Sequence, residues 1–133
     1  MKNKVQKAKP LAAWLGGKSR LAKTICPLID QADHEVYVEP FFGMGSIFLG
    51  RNERPRKEVI NDRNEEIMNL FRVVQSDMAG LVKAMAFMLE SRSEFERLEK
   101  LDPTRLDPTP RAARFLYLQR LSFGGKADLD EHD

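Results

Sequence analysis

With 133 residues, 42% of them hydrophobic and 32% charged, the chain has the make-up of an ordinary globular protein with one core, too short for two. Its single cysteine, Cys26, excludes an internal disulfide, and no apolar run approaches the roughly 18 residues that span a bilayer, so no membrane role and a reducing, cytoplasmic location are expected. Net charge is only +2, and the N-terminus has lysines without the apolar stretch of a secretory signal.

The charge is unevenly placed. Residues 1 to 29 carry Lys2, Lys4, Lys7, Lys9, Lys18, Arg20 and Lys23 with no acid. Such an arm attracts nucleic acid by counterion release, and equally describes a solvated, mobile terminus. Within it, Gly17-Lys18-Ser19 imitates the end of a phosphate loop, but Ala12 stands where the first glycine is required and no strand is expected ahead of it. Trp14 and Lys18 lie four apart around a diglycine. Together they can offer an indole face and an ammonium to one small ligand with a carboxylate; separately they suit a core aromatic and a surface charge.

Glu35 to Phe48, followed by Glu58 to Asn64, reads as strand, glycine turn, short helix, strand and acidic tip. Val36, Tyr37 and Val38 suit a pleat, and Gly43 and Gly45 allow backbone to approach a ligand where a Cβ would intrude. Ser46 to Arg51 is expected to run as a crossover helix whose first N–H groups face the turn. A second strand around Lys57 to Asn61 ends at Asp62, nineteen residues after Gly43, close to the offset at which such units set a carboxylate on ribose hydroxyls. Phe48 stands where a dinucleotide fingerprint has its third glycine, which argues against NAD. The acidic, aromatic turn of Glu39, Phe41 and Phe42 better suits a cationic or zwitterionic nucleoside.

Beyond Asn64 the pattern is helical. Ile67, Leu70, Phe71, Val74, Met78, Leu81, Val82, Met85, Met88 and Leu89 follow i, i+3, i+4 spacing, with Gly80 as the expected break and the methionines as core filling. Ser93-x-x-Glu96 predicts a capping box for a polar helix reaching about Leu101. Two Leu-Asp-Pro-Thr segments, 101 to 104 and 106 to 109, predict a loop or hinge. Helix resumes with Thr109 as N-cap and Pro110 in the first turn, carries Ala113, Phe115, Leu116 and Leu118, and is expected to end at Gly124-Gly125. There Phe123 can stack on a base and Lys126 can meet a phosphate, or the diglycine serves only as a helix C-cap.

Trp14-Leu-Gly-Gly-Lys18, Glu39-Pro-Phe-Phe-Gly-Met-Gly-Ser-Ile-Phe-Leu49, Asn61-Asp-Arg-Asn64 and Arg111 to Gly125 closely resemble, in the same order, four blocks of the Dam-type, adenine-specific DNA methyltransferases. The resemblance runs from Leu11 to Lys126. It implies an α/β, Rossmann-like, S-adenosylmethionine-dependent methyltransferase fold, truncated, with a helical DNA-recognition insertion. The reaction implied is methyl transfer from S-adenosyl-L-methionine to N6 of adenine in double-stranded DNA. The implied cofactor site comprises Trp14, Lys18, Glu39, Pro40, Phe41, Phe42, Gly43, Gly45, Ser46 and Asp62, and the implied DNA contacts are Arg120, Phe123 and Lys126. Gln119 stands where the family usually has asparagine, so the target need not be the family's familiar tetranucleotide.

The resemblance also divides the chain: residues 1–64 as the N-terminal part of the cofactor domain, 65–126 as the DNA-recognition region, and 127–133 as a disordered acidic tail. Family members carry an Asp-Pro-Pro-Tyr tetrapeptide further downstream, and these 133 residues contain none. Extruding and gripping an adenine needs those acceptors and that aromatic, so the chain is expected to be inactive alone. With two strands only, it is expected to expose an apolar sheet edge, and to self-associate there, meet a second chain bearing the missing catalytic half, or fold as a mostly helical fragment with a minimal sheet. Two other readings are a DNA-binding remnant that uses no cofactor and a nucleotide-hydrolysing fragment built on Gly17-Lys18-Ser19.

Overall fold

The computed structural model describes residues 2–14 and 17–130, with side chains described as far as Ser122. Where a single core was expected, the chain forms two compact units, Met1–Arg63 and Asn64–Asp133.

In the first unit, α1 (Ser19–Gln31) turns Cys26 inward, flanked by the partly buried Ala22, Ile25 and Ile29. That i, i+3, i+4, i+7 stripe holds the helix against the rest of the unit although Pro27, inside it, removes one backbone donor. Next come β2 (Val36–Glu39), α2 (Ser46–Gly50), β3 (Glu53–Arg54) and β4 (Lys57–Ile60). β2 and β4 pair in parallel with Val38 opposite Val59 and Tyr37 opposite Glu58, as the β-branched runs predict. The period of two sends Tyr37 and Glu39 inward and leaves Val36, Val38 and Val59 half-exposed on the other side. A parallel pair with one bare apolar face is an incomplete layer by the usual pattern of α/β proteins.

The expectation that no strand precedes Trp14 is corrected. β1 (Asn3–Lys4) pairs antiparallel with β3, and Val5 N–H and Ala8 N–H donate to the carbonyls of Asn52 and Leu49 at 2.7 and 2.9 Å. Lys2 bonds the Asp30 and Ala32 carbonyls and pairs with Glu53. The start of the basic arm is thus strapped along residues 49 to 54, because an edge strand's unpaired groups accept any extended neighbour.

The second unit is helical. α3 (Glu65–Ser76) is capped by Asn64, whose Oδ1 accepts from Glu66 N–H at 2.9 Å, and buries Ile67, Leu70, Phe71 and Val73. Gly80 is not the break. The chain leaves the helix at Asp77, whose carboxylate caps α4 (Met78–Ala86) and accepts from Thr109 Oγ1 at 2.7 Å. A Cβ on Gly80 would fall 2.2 Å from that carboxylate, so the glycine makes room for the cap. α5 (Arg92–Glu99) is capped two residues earlier than the pattern suggested, by Ser91 accepting from Glu94 N–H at 3.1 Å. Ser91-x-x-Glu94 satisfies the same capping signature, and Ser93 lies inside the helix.

Between α5 and the last helix, Asp102 caps a single 3-10 turn at Pro103–Arg105. The last helix, α6 (Pro108–Asp130), begins at Pro108, ahead of Thr109, since proline's missing donor costs nothing in a first turn. It also continues through Gly124-Gly125: glycine weakens a helix but ends one only in the left-handed conformation. Of the tail, residues 127–130 continue this helix and 131–133 lie outside the described residues. The core residues of α6 are Ala112, Ala113, Phe115, Leu116 and Tyr117, with Leu118 only partly buried. The partly buried Arg111–Glu66 pair (Nε to Oε1 2.9 Å) joins α6 to α3.

Candidate functional site

The turn after β2 is built by two glycines in the left-handed region, Gly43 at φ +56° and Gly45 at φ +78°. Gly45 caps α2 and is buried. A Cβ there would lie 2.7 Å from Phe42 Cζ, and one on Gly43 would lie 3.2 Å from Trp14 Cδ1. Both glycines are therefore required twice, by backbone conformation and by the aromatic packed on them. Across the turn, Phe42 N–H donates to the Asn61 carbonyl at 3.0 Å, tying it to the end of β4.

Asp62, just beyond β4, accepts from Gly43 N–H through Oδ2 at 2.8 Å. Lys18 Nζ, at the N-cap of α1, donates to the Phe41 carbonyl at 3.0 Å. Gly17 N–H closes back on the Trp14 carbonyl at 2.8 Å. Three separated stretches thereby surround one cleft of about 160 Å³, lined by Trp14, Gly17, Lys18, Glu39, Phe41, Phe42, Gly43, Met44, Ser46, Ile47 and Asp62. Phe41 stands at its rim, 77% exposed. A second, more apolar cleft of about 570 Å³ shares Trp14, Gly17, Met44 and Ser46 with it and runs on between Ala8–Ala13 and α1. The first cleft is below the roughly 300 Å³ at which small-molecule sites usually begin, and the second brings the combined space into that range.

Eight of the ten residues expected at the cofactor, namely Trp14, Lys18, Glu39, Phe41, Phe42, Gly43, Ser46 and Asp62, line this one cleft. Pro40 is exposed outside the lining, and Gly45 supports it from behind. Met44, Ile47 and Gly17 also line it, though they were not among the ten residues expected there. Spacing on the short helix after the turn offered the signal for Ile47, one residue beyond Ser46.

Glu39 is the electrostatic centre of the cleft wall. It is 8% exposed, and burial pushes its carboxyl above the ordinary range, opposed by the Tyr37 hydroxyl, Lys18, Arg51 and a backbone hydrogen bond from Phe48. Tyr37 Oη donates to Glu39 Oε2 at 2.7 Å. Burial and that same carboxylate hold the phenol well above its usual value. The donor and acceptor set comprises two carboxylates, an ammonium and three aromatic rings. Such a set complements a zwitterionic, cation-bearing ligand. Among the described residues, no group of three or more His, Cys, Asp or Glu side chains is placed to hold a metal ion, and no helix is long and apolar enough to cross a membrane.

In the second unit Arg120 is exposed on α6. The side chains of Phe123 and Lys126 lie outside the described residues, so of the three expected DNA contacts one can be located.

Residues 14–133 match the family of D12 class N6 adenine-specific DNA methyltransferases. The chain is also similar to a type II methyltransferase, M1.LlaDCHI, of Lactococcus lactis subsp. cremoris, at 31% identity over 93% of this chain and 44% of that protein. It is 26% identical to the type II methyltransferase M.MjaIII of Methanocaldococcus jannaschii, over 88% of this chain and 47% of the relative. With the DNA adenine methylase of Haemophilus influenzae it shares 28% identity over 90% of this chain and 42% of that protein. The chain thus spans a little under half the length of these curated relatives.

Proposed function

This chain belongs to the D12 class N6 adenine-specific DNA methyltransferase family, and from that premise we propose that it is the cofactor-binding and DNA-recognition portion of a site-specific adenine methyltransferase. In this reading residues 1–64 form the first part of a Rossmann-like domain that holds S-adenosyl-L-methionine, and residues 65–126 read double-stranded DNA, with Arg120, Phe123 and Lys126 among the contacts. The bound cofactor would supply an activated methyl group for the exocyclic amine of adenine. Trp14, Phe41 and Phe42 supply aromatic surface to the ligand, Glu39 its acidic wall, Lys18 a cation for a carboxylate, and Asp62 an acceptor for ribose hydroxyls.

The observation that carries the reading is the meeting of Trp14, Lys18, Glu39, Gly43, Ser46 and Asp62 around a single cleft although they are up to 48 residues apart. Methyl transfer needs acceptors for the amino hydrogens and a stacking partner for an extruded base. These 133 residues hold no Asp-Pro-Pro-Tyr to provide them, so transfer requires additional polypeptide. The bare face and edge of the β2–β4 pair, with Val36, Val38 and Val59 exposed, suit either a chain carrying the remaining strands or a second copy. A concentration-independent monomer in light scattering would remove the self-association option.

Calorimetric titration with S-adenosyl-L-methionine tests the cofactor reading. Asp62→Ala should weaken binding about ten- to a hundredfold, the worth of charged hydrogen bonds to a diol. Asp62→Asn keeps an acceptor for Gly43 N–H and separates the turn's integrity from the loss of charge. No heat of binding to the parent chain, together with salt-sensitive DNA binding that ignores the cofactor, would replace this reading with that of a DNA-binding module.

A further inference from the structure

Arg51, the residue after α2, is 2% exposed, one of the most deeply buried side chains of the described structure. A guanidinium in that position is costly unless every donor is matched, and a well-packed apolar side chain is often as stable there. Its Nη1 has no hydrogen-bond partner among the described residues. Its remaining contacts are to Tyr37, Phe48 and Glu58. The guanidinium carbon lies 4.0 Å from the centroid of the Tyr37 ring and 4.7 Å from that of Phe48. Glu58, opposite Tyr37 in the strand register, fixes the guanidinium through Nη2 at 2.9 Å, and the Phe48 carbonyl accepts from Nε at 3.2 Å.

Tyr37, thus clamped between strand and guanidinium, donates its hydroxyl to Glu39 Oε2 at 2.7 Å. Strand geometry places the two side chains on one face, two residues apart. Glu39 in turn lines the cleft. We infer that Tyr37 and Arg51 are positioning residues that act through Glu39, Arg51 fixing the Tyr37 ring and Tyr37 aiming the carboxylate at a cationic group of the bound ligand. The inference rests on the cofactor reading for the ligand's identity, but the clamp belongs to the ligand-free protein.

The groups facing Glu39 are Tyr37 on its own strand, Lys18 ahead of α1, Cys26 on α1, Arg51 after α2 and, across the cleft, Asp62. Of these, Tyr37 hydrogen-bonds the carboxylate through its hydroxyl. Burial favours the neutral acid and the phenol's hydrogen bond favours the charged form. Loss of that bond leaves burial less opposed.

The test is a carbon-detected NMR titration of glutamate carboxyls in the full 133-residue chain without ligand, the Glu39 signal assigned by Glu39→Gln. In Tyr37→Phe the proton affinity of Glu39 should rise about tenfold or more, on the scale of a hydrogen bond to a charged group. Arg51→Lys keeps the charge but loses the planar stack and the two-point grip. It should move the titration in the same direction by less, and provides the test should the tyrosine variant fail to fold. In calorimetry, Tyr37→Phe should bind S-adenosyl-L-methionine weakly at acid pH and recover towards parental affinity as pH rises. A Glu39 titration unmoved in both variants overturns the inference, as does an affinity loss equal at every pH, which would mark general damage. If no variant and no parent chain binds the cofactor, the cofactor reading fails, and the ligand-free titration still decides whether the clamp exists.

Discussion

Replacing Gly45 by alanine tests whether the glycine turn is a strict geometric requirement. At φ +78° an L-residue pays about 1–2 kcal/mol for the left-handed conformation. The new methyl would lie 2.7 Å from Phe42 Cζ, 3.1 Å from Cε1 and 3.5 Å from Leu49 Cδ1. Phe42 cannot swing aside: it is 2% exposed and its ring meets that of Phe48 edge-on at 5.5 Å. Overpacking of such a site costs about 1–3 kcal/mol more. The total, roughly 2–5 kcal/mol, is a large fraction of the 5–15 kcal/mol that holds an ordinary domain together. Gly43→Ala carries the same backbone penalty, but its methyl meets Trp14 Cδ1 at 3.2 Å, and that indole is only partly buried at the cleft wall. A shift of a few tenths of an ångström relieves it, so stability should fall by the conformational cost alone. Trp14 is the only tryptophan, so denaturant unfolding followed by its fluorescence reports on the unit that holds the cleft. Equal midpoints for Gly45→Ala and the parent protein would refute the turn geometry.

Three further outcomes are expected. Because burial raises the Glu39 carboxyl, the folded state holds its proton more tightly than the unfolded chain. Glu39 therefore contributes stability below its unfolded pKa that is lost as pH rises through its folded one. The difference in unfolding free energy between Glu39→Gln and the parent, measured against pH, should grow in the variant's favour across that window; a flat difference would place the carboxyl in water. Ser91→Ala should cost about 1 kcal/mol of stability and Ser93→Ala only a few tenths, since Ser91 supplies the cap of α5; the reverse order in thermal melts would restore the later capping box. Gly80→Ala should destabilise the parent protein, whose Asp77 carboxylate occupies the space of the new methyl. In an Asp77→Ala background it should instead stabilise by up to about 1 kcal/mol, alanine's advantage in a helix, and additive effects in this double-mutant cycle would deny the clash.

Much of the cleft was legible from residue order alone. Glycine at 43 and 45 between a β-branched run and a short apolar helix, with an acid nineteen positions on, specifies a turn whose backbone only glycine adopts readily. Such local conformational preferences are properties of adjacent residues. Of the helical stripe, Ile67, Leu70, Phe71 and Leu81 are buried as expected, whereas Met78, Val82 and Leu89 are exposed and Val73 takes a core place the spacing did not give it. Cap positions were less legible, because Ser91-x-x-Glu94 and Ser93-x-x-Glu96 are equivalent as strings, and Asp77 displaces Gly80 as the break by capping α4, its carboxylate held by Gly80 N–H and by Thr109 Oγ1 from far along the chain.

What the tertiary structure alone decided are the contacts between residues far apart in the chain. Nothing near Lys18 announces that its ammonium reaches the Phe41 carbonyl, nor near Asp62 that its carboxylate holds Gly43 N–H. Arg51 reads as one more surface cation until α2 turns it beneath Tyr37 and Glu58. The amino-acid order determines which backbone shapes are cheap at each step. Which side chains then share a buried space depends on how helices and strands pack, because desolvation and hydrogen bonding act between neighbours in space whatever their separation along the chain.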